Sequence, residues 1–185
     1  MSVAGFVLTG GHSSRMGRDK AMLPYGDGTL VEWMAKIARD AAGTVYLVGA
    51  PERYVHLGLP CLSERYAGCG PMSGVEAALG YGYSWNLVLA CDMPRLNPGW
   101  LERLVRTAVE GEKAAVAASH EDGRVEPLCA VYHARLQPLF EEALSDGRYS
   151  IRKLLDTIDF ARFPVEDEEY VANVNTSDEW ARWSQ

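Results

Sequence analysis

Apolar and polar positions change period repeatedly along this chain, and the changes mark out strands and helices in alternation. Residues 3–9 form a short apolar run closed by Gly10-Gly11, the pattern of a buried parallel strand. Leu30, Val31, Met34, Ile37, Ala38 and Ala41 then recur at helical spacing, and Gly43 ends that helix. Residues 44–48 predict a second strand, Pro51-Glu52 opens a short helix, and 59–62 predict a weaker strand. Gly70-Pro71 starts a helix over 71–78, with proline in its first turn. Residues 87–91 form a strongly apolar strand that runs directly into Asp92. Asn97 caps the next helix, Pro98 opens it, and Leu101, Leu104, Val105 and Ala108 make its buried stripe.

The later half repeats the theme with one reversal. Residues 114–118 predict a strand, Glu121-Asp122-Gly123-Arg124 a turn, and 125–132 a strand returning antiparallel. Helices follow over 134–145 and 150–155, then a strand near 160–165. A last helix begins at Thr176, with Glu179 at capping-box spacing. Such alternation predicts an α/β fold: a mostly parallel, mixed central sheet with helices on both faces. No repeat or low-complexity linker divides the 185 residues, so a single domain over 1–185 is expected. Open α/β sheets bind ligands at the carboxyl ends of their strands. The loop after Thr9 and the residues after Cys91 should therefore carry the chemistry.

Composition narrows the partners. With 18 basic and 25 acidic side chains the formal charge is −7, which argues against a broad basic face for nucleic acid. A phosphate pocket stays open, since it needs only a few local positive groups and backbone amides. No apolar run approaches the roughly 20 residues that span a bilayer. The first residues lack the basic and apolar regions of a signal peptide. Cys61, Cys69, Cys91 and Cys129 form no C-x-x-C pair and have no zinc spacing with histidine, so free thiols in a reducing cytoplasm are expected. The four histidines, His12, His56, His120 and His133, show no metal spacing and read as surface or satisfied side chains.

The loop over 10–20 is the richest segment. Adjacent Gly10 and Gly11 after a buried strand let the backbone approach a ligand and turn amides toward it. Arg15 and Lys20 add two permanent charges; Arg suits bidentate phosphate oxygens and Lys acts as a mobile point charge. The spacing excludes a P-loop, and His12 stands where a dinucleotide fingerprint needs its second glycine. A polar surface loop is the plain alternative, and two spaced basic residues put phosphate binding ahead of it. Asp92, at a strand end opposite this loop, could hold Mg²⁺ on nucleotide phosphates with one carboxylate. On spacing alone an ordinary turn-starting Asp before Met93-Pro94 is as good a reading.

The run Leu8-Thr9-Gly10-Gly11-His12-Ser13-Ser14-Arg15-Met16-Gly17-Arg18-Asp19-Lys20 resembles the signature loop of the molybdenum cofactor guanylyltransferases. These enzymes sit within the nucleotide-diphospho-sugar transferase superfamily. Cys91-Asp92-Met93-Pro94 is similar to the family's C-D-x-P segment, whose Asp binds the metal. Gly70-Pro71-Met72-Ser73-Gly74 resembles its G-P-x-x-G segment beside the nucleotide. Upstream, the family often has an Asp that helps bind guanine; Glu64 stands there, with the intervening loop one residue shorter. Residues 126–132, beginning at Glu126, resemble the strand on the acceptor side, and a purely structural strand is an equal reading. Asn173-Val174-Asn175-Thr176 resembles the N-x-N-T segment that meets the pterin; its two amides share one side by period-two spacing, and a cap for the last helix is the alternative.

The resemblance covers about residues 3 to 183. It implies a single-domain, three-layer α/β/α Rossmann-like nucleotidyltransferase, its N-terminal part binding nucleotide and its C-terminal part the acceptor. The reaction implied is transfer of GMP from GTP to molybdopterin or its molybdenum-loaded form, with release of pyrophosphate. Nucleotide contacts would come from Leu8, Thr9, Gly10, Gly11, Arg15, Lys20, Glu64, Gly70, Pro71, Gly74 and Asp92. Glu126, Asn173 and Asn175 would face the acceptor, and Arg15, Lys20 and Asp92 would be catalytic. The ion would be Mg²⁺ at Asp92, with Mn²⁺ as its substitute. Partners expected beyond the two substrates are molybdoenzyme chaperones or other cofactor-synthesis proteins. Two other functions remain open: CTP or another NTP on molybdopterin or a different phosphorylated acceptor, and a noncatalytic nucleotide-binding regulator.

Overall fold

The computed structural model describes residues 1–9 and 19–174, together with Trp180. Gly10, Gly11, Arg15, Asn175 and the start of the last helix lie outside the described residues. The seven-stranded sheet is built from β1 (Val3–Leu8), β4 (Val45–Val48), β5 (Cys61–Leu62), β6 (Trp85–Ala90), β7 (Ala115–Ser119), β8 (Val125–His133) and β9 (Ala161–Pro164). Their spatial order is β5-β4-β1-β6-β8-β7-β9. Parallel pairing joins β5 to β4, β4 to β1, β1 to β6, and β7 to β9. β8 runs antiparallel to both β6 and β7, so it alone opposes the other six strands of this sheet. The mixed sheet expected from the late hairpin is therefore present, with β8 inserted between β6 and β7 rather than added at an edge.

Among the described residues six helices cover the sheet: α1 (Leu30–Ala42), α2 (Pro51–Tyr54), α3 (Pro71–Leu79), α4 (Pro98–Glu110), α5 (Gln137–Ser145) and α6 (Ile151–Leu155). Strand side chains alternate between two cores. On one face Val7, Leu87, Leu89, Val116 and Val131 pack with residues of α1 and α4. On the other, Phe6, Leu8, Val88, Ala117 and Tyr132 pack with residues of α3, α5 and α6. This period-two division is why the strands read as continuous apolar runs: both faces are buried. Gly5 lets α1 come close to β1, since a Cβ there would stand 3.0 Å from both the Cβ and the carbonyl oxygen of Ala38.

Local signals explain most element ends. The Asn97 side chain accepts from the Trp100 amide at 3.0 Å, and Pro98 occupies the first turn of α4. Gly43 closes α1 with a φ of 82°, a left-handed turn that favours glycine. The helix expected over 134–145 instead begins as a tight 3₁₀ turn, Ala134–Leu136, before α5. Pro138 falls in the first turn of α5, so it suits a helix start better than a helix interior. A small hairpin of β2 (Pro24–Tyr25) and β3 (Gly28–Thr29) was not expected. It lies beyond the 10–20 loop and is held by Tyr25, whose hydroxyl donates to the Pro94 carbonyl at 3.0 Å.

Candidate active site

Parallel strands β1 and β6 end side by side, which brings the two sequence segments richest in chemistry together. Thr9 continues β1, its amide donating to the Val48 carbonyl at 2.9 Å and its hydroxyl to the same oxygen at 3.0 Å. The Cys91 amide donates to the Leu8 carbonyl at 3.2 Å, and Asp92 follows immediately. From the far end of the chain, the Val174 amide donates to the Asp92 carbonyl at 2.9 Å. Three distant stretches are thus fastened at the carboxyl ends of two central strands. Between them lies a cavity of about 460 Å³ whose walls include Leu8, Thr9, Lys20, Asp92, Glu126 and Asn173.

Lys20 reaches this cavity because Asp19 anchors the end of the loop. Asp19 caps the 3₁₀ turn Lys20–Met22, accepting from the Ala21 amide at 3.1 Å. It also accepts from the Tyr54 hydroxyl at 3.0 Å and from Arg53 at 2.5 Å. Tyr54 is fully buried, and burial with the Asp19 charge pushes its phenol well above its ordinary pKa. It stays a neutral donor at any physiological pH. The capped turn therefore begins from a fixed point joined to α2.

The electrostatics of Asp92 decide what the site can hold. Burial raises its carboxyl pKa, Lys20 opposes that rise, and Glu126 adds to it. A carboxylate taken out of water beside a second carboxylate favours a nearby cation. Among the described residues no group of three His, Cys, Asp or Glu could enclose a metal. The donor set is instead a hard oxygen ligand beside a space large enough for phosphates, which is how Mg²⁺ is ordinarily bound. Cys91 and Cys129 are buried, and burial raises both thiol pKa values strongly, so neither is a poised nucleophile.

The opposite wall of the cavity comes from β8 and the segment leading into α6. Glu126 stands on β8, largely buried, with the Arg152 guanidinium 3.6 Å from its Oε1. Its other neighbour is His120, whose Nε2 lies 3.0 Å from the same oxygen. Tyr149, Ser150 and Arg152 line the cavity as well.

Of the residues singled out in the sequence, the cavity wall includes Leu8, Thr9, Lys20, Pro71, Asp92, Glu126 and Asn173. Glu64, Gly70 and Gly74 are not among its lining residues. Gly74 packs instead against the wall from behind: a Cβ there would stand 1.9 Å from Leu8 Cδ2 and 3.2 Å from Glu64 Oε1. Glu64 is half-buried, and its pKa is raised by burial and pulled back in part by Ser73. Asp19, His120 and Arg152 were missed. Asp19 was visible within the loop motif but carries no obvious phosphate chemistry. Arg152 follows the Ser150 cap of a short helix, and only the folded chain turns that helix toward β8. A second, larger hollow of about 640 Å³ lies by α3 and α5. Its buried Glu76 is already held by Arg65 and Gln137.

A family model described as the MobA-like NTP transferase domain matches residues 5–162. The chain belongs to this family. Within it, a protein of Carboxydothermus hydrogenoformans named "Probable molybdenum cofactor guanylyltransferase" is 33% identical over 178 residues, covering 92% of this chain and 89% of that protein. A Mycobacterium tuberculosis protein of the same name is 36% identical over 182 residues, covering 95% and 90%. The crystal structure of molybdopterin-guanine dinucleotide biosynthesis protein A from Archaeoglobus fulgidus superposes with a TM-score of 0.83 at 25% identity, covering 98% of this chain and 96% of that one. Asp92 lies within the matched stretch and on the wall of the cavity. No helix among the described residues is long and apolar enough to cross a membrane.

Proposed function

We propose that this protein transfers GMP from GTP to the phosphate of molybdopterin or its molybdenum-loaded form, releasing pyrophosphate. The product is molybdopterin guanine dinucleotide. The observation that carries this reading is the grouping of Lys20, Asp92, Glu126 and Asn173 around one cavity at the ends of β1 and β6. Lys20 and Asp92 belong to the nucleotide side, Glu126 and Asn173 to the acceptor side, so the two halves of the chain divide the substrates between them.

In the reaction an acceptor phosphate oxygen forms a bond to the α-phosphorus of GTP. The bond from that phosphorus to the oxygen bridging to the β-phosphate breaks, and pyrophosphate leaves with the electron pair. The attacking oxygen is already anionic, so no side chain has to remove a proton. The protein's contribution is alignment of two anions and cancellation of their charge. Lys20 holds the reacting phosphate, while Arg15 is assigned to the leaving β/γ portion and Gly10 and Gly11 to amide contacts. Asp92 would hold Mg²⁺, or Mn²⁺ in its place, and that ion when bound supplies positive charge to the nucleotide phosphates. Arg152, beside Glu126, joins the acceptor wall as a positive group for the second phosphate. Glu64 and the Gly70-Pro71 turn are assigned to the base end of the nucleotide.

A cytoplasmic setting suits the four free thiols. A labile product suits direct transfer to a chaperone or an apo-molybdoenzyme. The test is pyrophosphate release in the presence of molybdopterin and Mg²⁺ with each of the four NTPs in turn. Release with GTP alone is expected. Release with CTP alone would replace the base assignment, and nucleotide binding without release would make the protein a regulator rather than an enzyme.

A further inference from the structure

His120 sits at the end of β7, where its amide donates to the Arg124 carbonyl at 2.9 Å and closes the turn into β8. It is 8% exposed, yet both ring nitrogens face carboxylates. Nε2 lies 3.0 Å from Glu126 Oε1, and Nδ1 lies 2.7 Å from Glu168 Oε2 and 2.9 Å from Oε1. A neutral imidazole has one N–H, so it can donate to one of these carboxylates and must turn a lone pair toward the other. An imidazolium satisfies both.

We propose that His120 is a positioning residue for the acceptor: spanning Glu168 and Glu126, it fixes the Glu126 carboxylate on the cavity wall beside Arg152. This rests on the acceptor-side reading of Glu126 given above. Glu126 pairs with Ala118 in the β7–β8 ladder, next to the register shift between Ala117 and Ala118. The ladder fixes its backbone only, so its long side chain needs another tether. The bridge supplies one from the rear, and Arg152 approaches the same oxygen from α6. Asp122 and Arg124 of the turn face His120 with opposite charges, and they pair with one another. Burial lowers the His120 pKa, but hydrogen bonding to Glu168 and Glu126 outweighs it, and the net direction is upward.

The test compares the KM for molybdopterin with the KM for GTP in His120→Phe, Glu126→Gln, Glu168→Gln and the double variant His120→Phe/Glu126→Gln. Loss of one charged hydrogen bond should raise the molybdopterin KM of His120→Phe about tenfold. The KM for GTP should stay within about twofold, a split that general loosening of the fold would not give. Since His120 acts through Glu126, the double variant should be no worse than Glu126→Gln alone. If His120→Phe does not fold, Glu168→Gln, at the exposed outer end of the bridge, should give a smaller rise of the same selectivity. Equal changes in both KM values, or effects that multiply in the double variant, would overturn the inference. If Glu126→Gln raises the molybdopterin KM and neither His120→Phe nor Glu168→Gln does, the inference fails while the acceptor reading stands. If Glu126→Gln has no effect on that KM, the acceptor reading of Glu126 fails and takes this inference with it.

Discussion

The backbone amide of Val174 donates to the carbonyl oxygen of Asp92 at 2.9 Å, joining the last described stretch of chain to the end of a central strand. Val174 is itself buried, so the link is both a hydrogen bond and a packed contact. Its consequence is that Asn173 opens onto the same cavity as Asp92.

Asn173→Ala should therefore act on the acceptor and not on the fold. The side chain is exposed to the cavity, while the amide bond and the Val174 packing remain. A rise of about tenfold in the KM for molybdopterin with an unchanged melting temperature is expected, from loss of one or two polar contacts. A drop in melting temperature with unchanged kinetics would assign Asn173 to capping alone.

Asp92→Asn should separate stability from activity. The folded carboxyl pKa lies above its unfolded value, so between those two values the native state holds more protons and stability falls as pH rises. Above the folded pKa the penalty is complete, and there the ionised Asp92 costs stability. Replacing it with Asn removes that cost, so the melting temperature should hold or rise while turnover falls on the order of 10²-fold or more. Mg²⁺ with GTP should raise the melting temperature of the unaltered protein and not of the variant.

Tyr54→Phe tests the anchor beneath Lys20. The lost hydroxyl donates to Asp19 in a buried setting, and its removal should cost about 1 kcal/mol of stability. Turnover should fall as well, because the turn that carries Lys20 loses its fixed point. Lys20→Ala in the Tyr54→Phe background should add less than it does alone.

Gly74→Ala would drive a Cβ to 1.9 Å from Leu8 Cδ2, so Leu8 must leave its place or α3 must shift from β1. The expected cost is about 1–3 kcal/mol of stability. A weaker affinity for nucleotide should accompany it, since Leu8 lines the cavity. Denaturant unfolding and nucleotide titration read the two effects separately.

The His120 bridge predicts a pH dependence of stability. A histidine whose folded pKa lies above its ordinary 6.5 contributes fully below that value and loses its contribution as pH rises through the folded pKa. The stability difference between the unaltered protein and His120→Phe should be largest below pH 6.5 and shrink above it. A constant difference across that range would contradict an imidazolium bridge.

Much of this architecture was legible because burial on both sheet faces writes strands as unbroken apolar runs. Val7 and Phe6, or Val88 and Leu89, face opposite cores yet look alike in sequence. Caps such as Asn97-Pro98 and stops such as Gly43 are local, and they were read directly. Pro138 was readable as a helix opener too, but the periodic pattern ran through it and hid the 3₁₀ turn before α5. What could not be read was proximity. Arg152 lies 26 positions after Glu126 and His120 six before it, and no spacing rule joins them. Only the hairpin register and the packing of α6 bring the three together. At Gly74 the motif did not reveal a packing role: its missing side chain makes room for Leu8.

The most direct test of the account is mass spectrometry of the product formed from GTP, molybdopterin and Mg²⁺ by the purified protein. The account predicts molybdopterin guanine dinucleotide together with an equal amount of pyrophosphate, both lost in Asp92→Asn. GTP and molybdopterin recovered unchanged, or a product carrying a different nucleotide, would contradict it.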